Sequence, residues 1–417
     1  MTIFRLTLGS LFARKITVFM TLLAIALSVM LFSGVEKIRT GAKASFADTI
    51  SGTNLIVGAR SGSVQLLLYS VFRIGNATNN VTWQSYQDIA ARSEVDWIVP
   101  ISLGDSHRNF RVMGTSPDFF KRYKFRKGQS LTFRDGAVMS DLFDTVIGHD
   151  VAEALGYKIS DPIVVAHGIA SFSEHKDQPF AVAGILAKTG TPVDRTVIVS
   201  MEAIEAIHVD WKSGAKIPGQ STSVDELRAM EFTPQAVTAA LIGVKSPLQT
   251  FALQRAINTY DQEPLLAILP GVALQELWSI IGVAETALLA ISAMVVVTAL
   301  IGMMATLFSN LNERRREMAI YRAMGASPLT ILGLLVLEAI LIAALGACLG
   351  LVMLYATLSI GQPIIDSRFG LFLPINAPNL REWTVLIAVV ASAAAVSLVP
   401  ALRAYRMSLA DGMMVRT

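Results

Sequence analysis

Residues 329–359 read LTILGLLVLEAILIAALGACLGLVMLYATLS, an apolar run in which Glu338 is the one Asp, Glu, Lys or Arg. A run of that length is read as a helix crossing a bilayer, where every backbone N–H and C=O has to find its partner within the segment. Residues 16–35, 278–309 and 383–400 pass the same test, so the sequence describes four spans. Composition agrees, because 53% apolar against 16% charged residues suits a membrane protein better than a soluble enzyme. The single cysteine, Cys348, lies inside the third span, so an intrachain disulfide and a thiolate metal cluster are both excluded. A net charge of +3 over 417 residues gives no reason to expect nucleic acid.

The basic residues set the expected orientation. Arg14 and Lys15, the Arg314–Arg316 cluster, and Arg403 with Arg406 flank the apolar runs and belong in the cytoplasm by the positive-inside tendency. Both termini are then cytoplasmic, while 36–277 and the short loop 360–382 lie outside. The first run is too long for a secretory h-region and lacks a small-x-small cleavage site, so it is expected to stay as an uncleaved anchor behind an interfacial N-terminal helix over 1–15.

Ahead of the third span, residues 310–328 carry NERRREMAIYRAMGAS and a proline. Met318, Tyr321 and Met324 recur at helical spacing, with Arg316, Glu317 and Arg322 on other faces. Gly325 suits a helix stop, Ser327 an N-cap, and Pro328 the first turn of the next helix. A short amphipathic helix, a tight corner and a membrane helix follow. Within the third span, Glu338 is costly in hydrocarbon and is expected to pack near the interface, while Gly346 and Gly350 allow close helix approach.

The long outer segment alternates short strands with short helices. Residues 55–57, 145–148, 162–165, 180–186 and 196–199 read as strands, 110–120 as a strand, a turn and a helix start, and 81–85 as a helix start with Tyr86, Ile89 and Ala90 at helical spacing, the chain returning through 239–244. An α+β globule with its own core is expected, ending at Pro270 and Gly271, from which a helix starts outside the membrane and enters it. Residues 212–223 (KSGAKIPGQSTS) are the expected linker, and no short-period repeat appears.

Catalytic chemistry is hard to place. The nearest approach to a phosphate loop, Gly214-Ala215-Lys216-Ile217-Pro218-Gly219-Gln220-Ser221, has Gln220 where the lysine belongs and a proline inside the loop. Neither GxSxG nor HExxH occurs, so a hydrolase is not expected. The histidines, His107, His149, His167, His175 and His208, all fall in the outer segment. His167 and His175 lie near Glu174 and Asp177, yet no tight ligand pair appears, so scattered surface histidines and no metal are expected.

Several stretches resemble one family. ERRREMAIYRAMGAS followed by LEAILIAALGACLGL, the opening FRLTLGSLFARKITVFMTLLAIALSVMLFSGVEKIRTG, the order GTSPDFF, VIGHDVAEALGY, FAVAGILAKTGTPVDRTVIVS, and the ending VPALRAYRMSLADG resemble MacB/FtsX-type ABC permeases, including the LolC/LolE-like subunits without a fused ATPase. The ending departs from the family pattern at Ser408-Leu409 and Gly412. The resemblance implies an α-helical membrane protein with four transmembrane helices and a large α+β extracytoplasmic domain, with an inserted subdomain over 103–216 in a porter-like one and a stalk. It implies a bacterial inner-membrane permease that pairs with a second copy or a paralogue. A separate ABC ATPase would hold ATP and magnesium, so no cofactor is expected in this chain. ATPase coupling would fall to Glu313, Arg316, Glu317, Met318, Tyr321, Arg322, Met324 and Gly325, with Glu317, Met318 and Arg322 foremost. A periplasmic adaptor or lipoprotein partner is compatible with the same family. The alternatives are an FtsX-like scaffold controlling a cell-wall hydrolase, and a membrane sensor of a ligand or metal.

Overall fold

The computed structural model describes residues 7, 9–12, 14–126, 128–168, 175–212, 215–217, 222–313, 315–369, 375 and 377–406. In chain order the main elements are α1 (Lys15–Asp48), β1 (Leu55–Ala59), β2 (Val95–His107), β3 (Phe110–Thr115), β4 (Phe133–Gly136), β5 (Asp144–Ile147), β6 (Pro162–Ile163), β7 (Ala166–His167), β8 (Phe180–Leu186), β9 (Thr196–Ser200), α2 (Met201–Ile207), β10 (Ala239–Val244), β11 (Leu265–Ile268), α3 (Pro270–Glu313), α4 (Arg315–Ala323), α5 (Pro328–Phe369) and α6 (Leu380–Arg406). They form two compact units, one helical (1–41, 282–364, 373–417) and one mixed (42–281, 365–372).

The mixed unit is built on one 11-stranded sheet in the order β11-β1-β10-β2-β3-β9-β5-β8-β4, with β7 pairing β2 and β6 pairing β8. Most pairs are antiparallel, but β3/β9 and β5/β8 run parallel. The strands β1, β9 and β10 are buried on both faces because both are covered, which is why they read as nearly continuous apolar runs. Ile56, Met113 and Ile198 point into one core with Leu66, Leu67 and Phe119. Their neighbours Leu55 and Val57 pack with Leu253 and Ile257, and Val112, Val197 and Val199 with Ile207. This is the period-2 signature of a strand sandwiched between layers.

The inserted subdomain is expected from about Leu103. Leu103 lies inside the single long strand β2, whose first part pairs with β10 and whose second part pairs with β3. The expected linker over 212–223 lies partly outside the described residues, and its described residues Lys212, Ala215 and Lys216 form a small ribbon with Trp211 just before it.

Four helices are long and apolar enough to cross a membrane: Lys15–Ala47, Pro270–Leu311, Pro328–Ile365 and Leu380–Arg406. Each outruns the span expected from its apolar core. Beyond Val35, the segment EKIRTGAKASFAD stays helical although it is polar, because nothing in it breaks the i→i−4 ladder. Pro363 and Pro400 sit inside α5 and α6 without ending them, so neither proline marks a boundary. At its start α6 is capped reciprocally, with Glu382 Oε2 accepting from Asn379 N at 2.7 Å and Asn379 Oδ1 from Glu382 N at 2.9 Å.

Candidate functional site

The segment between α3 and α5 folds as the short helix α4, which ends in a left-handed cap. Gly325 has φ +95°, Ala326 N donates to Tyr321 O at 2.9 Å, and Gly325 N donates to Arg322 O at 3.0 Å. Only a residue without Cβ takes this conformation cheaply. Ser327 Oγ then accepts from Thr330 N at 3.2 Å and opens α5.

Burial divides the expected coupling residues in two. Met318 does not face outward: it is buried with Leu311, Ile331, Leu335, Ala401 and Ala404, so it fastens α4 to its own helical unit. Tyr321 and Arg322 are half-buried, and Arg322 Nη2 donates to Tyr405 O at 3.1 Å. The exposed face is Glu317, Ile320 and Met324, three residues at helical spacing. Ile320 was missed from the sequence because burial alone distinguishes it from Met318. Glu313 closes α3 and Arg316 lies in α4, while Arg314 lies outside the described residues.

Gly346 and Gly350 meet α1 rather than open space. A Cβ at Gly346 would lie 3.0 Å from Ile25 Cβ, and one at Gly350 would lie 2.5 Å from Ala26 O. The pair is a small-xxx-small contact within one chain. About two turns towards the start of α5, Glu338 is 2% exposed and its Oε1 lies 2.7 Å from Arg14 Nη2, which also donates to Ser10 Oγ at 2.7 Å. The carboxylate therefore has a cation from its own chain.

Farther along α1 a second polar cluster joins the helices, and the sequence reading did not single it out. Lys37 Nζ lies 2.6 Å from Tyr355 OH and 3.2 Å from Glu382 Oε1. Arg39 is 2.8 Å from Glu36 and 3.6 Å from Glu285, and Arg381 is 2.9 Å from Glu36. Charges from α1, α3 and α6 with a hydroxyl from α5 are thus mutually satisfied, the condition for ionisable groups in a membrane helix bundle.

The histidines separate into satisfied ones and a cluster. His107 is a core residue, with Nδ1 2.6 Å from Val164 O and Nε2 2.9 Å from Tyr157 OH. His149 Nδ1 contacts Asp150 Oδ1 at 3.2 Å. His167, His175 and His208 come together with Asp105, and the ligand atoms of the four all lie within 4.8 Å of one another. Antiparallel register places Asp105 of β2 opposite His167 of β7. His208 follows directly on α2, and the backbone N–H of His175 donates to Val165 O at 2.9 Å. The hydrogen bond to Asp105 raises the His167 pKa, while burial, helped by His208, pushes that of His175 down to about 4. Of the acids weighed from the sequence, Glu174 lies outside the described residues, and Asp105 was not among them.

Residues 18–259 match the MacB-like periplasmic core domain and residues 289–409 the FtsX-like permease C-terminal family, the first match alone covering more than half of the chain. The periplasmic region of MacB from Actinobacillus actinomycetemcomitans aligns at 10% identity and a TM-score of 0.35, covering 55% of this chain and 94% of its own. The extracellular domain of YknZ, a noncanonic ABC-type transporter from Gram-positive bacteria, aligns at 11% identity and a TM-score of 0.31, covering 52% of this chain and 100% of its own. No curated protein matches the chain. With a MacB-like periplasmic domain and an FtsX-like membrane part in one polypeptide, the chain belongs to the MacB/FtsX-type ABC permease family, as a membrane subunit of an ABC transporter.

Proposed function

We propose that this subunit couples ATP hydrolysis by a separate cytoplasmic ATPase to movement of its periplasmic domain, so as to export or extract a lipid, lipoprotein, peptide or small molecule. The observation that carries the reading is α4: a short helix fastened by Met318 and Ala319 on one side and presenting Glu317, Ile320 and Met324 on the other. An element rooted in the helical unit and exposed along one stripe suits a lever on which a partner pushes. In this reading α4 faces the cytoplasm, both termini lie on that side of a bacterial inner membrane, and two permease chains engage two ATPase subunits. ATP and magnesium are held by the ATPase.

A pull-down of the tagged chain from native membranes in mild detergent tests this. Wild type brings down an ABC ATPase, and Glu317→Arg with Ile320→Glu loses it while the permease itself is recovered in equal amount. If the ATPase stays with that variant, α4 is not the docking element; if wild type recovers none even after crosslinking, the coupling reading fails.

A further inference from the structure

We propose that Asp105, His167, His175 and His208 form a binding site in the periplasmic domain for one divalent transition-metal ion, with zinc the best chemical match. The inference goes beyond the coupling role and is independent of it.

The separations suit a tetrahedral ion. Zinc bonded to nitrogen or oxygen at about 2.0–2.1 Å places its ligand atoms about 3.3 Å apart. His208 Nε2 lies 3.0 Å from His167 Nδ1, His167 Nδ1 lies 3.3 Å from Asp105 Oδ1, and His208 Nε2 lies 3.9 Å from Asp105 Oδ1. His175 completes the group, its ring centroid 5.1 Å from that of His208.

A second layer of contacts prepares these groups to ligate. His208 donates Nδ1–H to Ile204 O at 2.6 Å, which leaves the Nε2 lone pair facing the cluster. Metal-bound histidines are commonly fixed in this way. Trp211 walls the site, its ring centroid 4.3 Å from that of His175.

An ordinary hydrogen-bonded core accounts for part of this arrangement only. Asp105, His167 and His208 satisfy one another, but His175 is 2% exposed and neither of its ring nitrogens completes a hydrogen bond among the described residues. The backbone of Ile207 contributes only a secondary favourable interaction with its charged form. An imidazole buried in that state costs stability with no return unless a ligand takes its lone pair. Three nitrogens and one carboxylate select zinc and its first-row neighbours over magnesium and calcium, which prefer all-oxygen sites. His167 is the most exposed of the four, so an ion can enter from solvent. Once bound, it ties β2 and β7 to the end of α2.

The full-length chain, purified in detergent and freed of metal with a chelator, is titrated with zinc sulfate against a chromophoric zinc chelator, with magnesium and calcium as comparison ions. One zinc per chain is expected, undisturbed by magnesium. His175→Ala with His208→Ala weakens binding by more than about tenfold, since even outer-layer partners of a site are commonly worth that much. His149→Ala leaves it unchanged. Because alanine variants can lose their fold, Asp105→Asn and His208→Gln provide a second readout. Zinc raises the melting temperature of the wild type and leaves theirs unmoved. Sub-stoichiometric zinc, equal affinity in the double alanine variant, or equal zinc stabilisation of all variants overturns the proposal.

Discussion

Glu338 shows how a single charge is tolerated among apolar helices. Its carboxylate is 2% exposed and stands 2.7 Å from the Arg14 guanidinium. Removing one member of such a pair strands the other, at about 3–5 kcal/mol in buried cases. Glu338→Gln is therefore expected to lower the melting temperature in lipid nanodiscs, and Arg14→Met with Glu338→Met to recover much of the loss. Equal losses in the single and double variants would show that the charges act separately. In the periplasmic domain two buried phenols set an alkaline limit. Burial pushes Tyr69 and Tyr123 up to about 12. Their folded values lie above the ordinary value of about 10, so the stability they contribute is complete below pH 10 and is lost as pH rises towards 12. Phenolate absorbance from these residues should appear together with loss of circular dichroism, and Tyr123→Phe should shift the transition to higher pH. Full phenolate absorbance with the dichroism intact would refute burial as the cause. At this scale the sequence is least legible. His167 and His175 lie close in the sequence, but Asp105 and His208 are distant from them, and what brings those two in is the β2/β7 register and the end of α2, neither of which leaves a local signal.

Among the elements, the membrane helices were legible because hydrophobic length is a local property, whereas their ends were not. Polar residues beyond Val35 in α1 and prolines inside α5 and α6 are compatible with helix or loop until tertiary context decides. The facing of α4 was half legible. Met318, Tyr321 and Met324 share a spacing, but the contacts with Leu311, Ile331 and Ala404 decide that Met318 points inward. The α1/α5 seam was visible as Gly346 and Gly350 without its partner, and it makes a sharp prediction. Gly350→Leu drives a side chain against Ala26 O and Val29, so it should cost roughly the 1–3 kcal/mol typical of overpacking and reduce the yield of folded permease. Gly333→Leu, in the same helix with nothing within 4 Å of its Cβ position, should be recovered like wild type. If both variants behave alike, the loss reflects glycine replacement in α5 generally and not contact with α1.

At the scale of the whole molecule, the chain divides into two units, and both long boundaries, Gly41/Ala42 and Ile281/Gly282, fall inside helices rather than loops. α1 has 34 residues and α3 has 44. At about 1.5 Å per residue that is roughly 51 and 66 Å, against about 30 Å of hydrocarbon. A helix continuing that far past the membrane keeps its backbone hydrogen bonds and resists bending, whereas a flexible linker lets its two ends move independently. If the proposed coupling runs through these helices, it depends on their continuity. Inserting Gly-Ser-Gly-Ser between Ile281 and Gly282 is expected to leave the ATPase bound and hydrolysing ATP, because α4 is untouched. The same insertion should abolish any difference in protease sensitivity of the periplasmic domain between nucleotide-free and vanadate-trapped complexes. A nucleotide-dependent difference that survives the insertion would show that α3 does not carry the motion, and would leave α1 as the element to interrupt next.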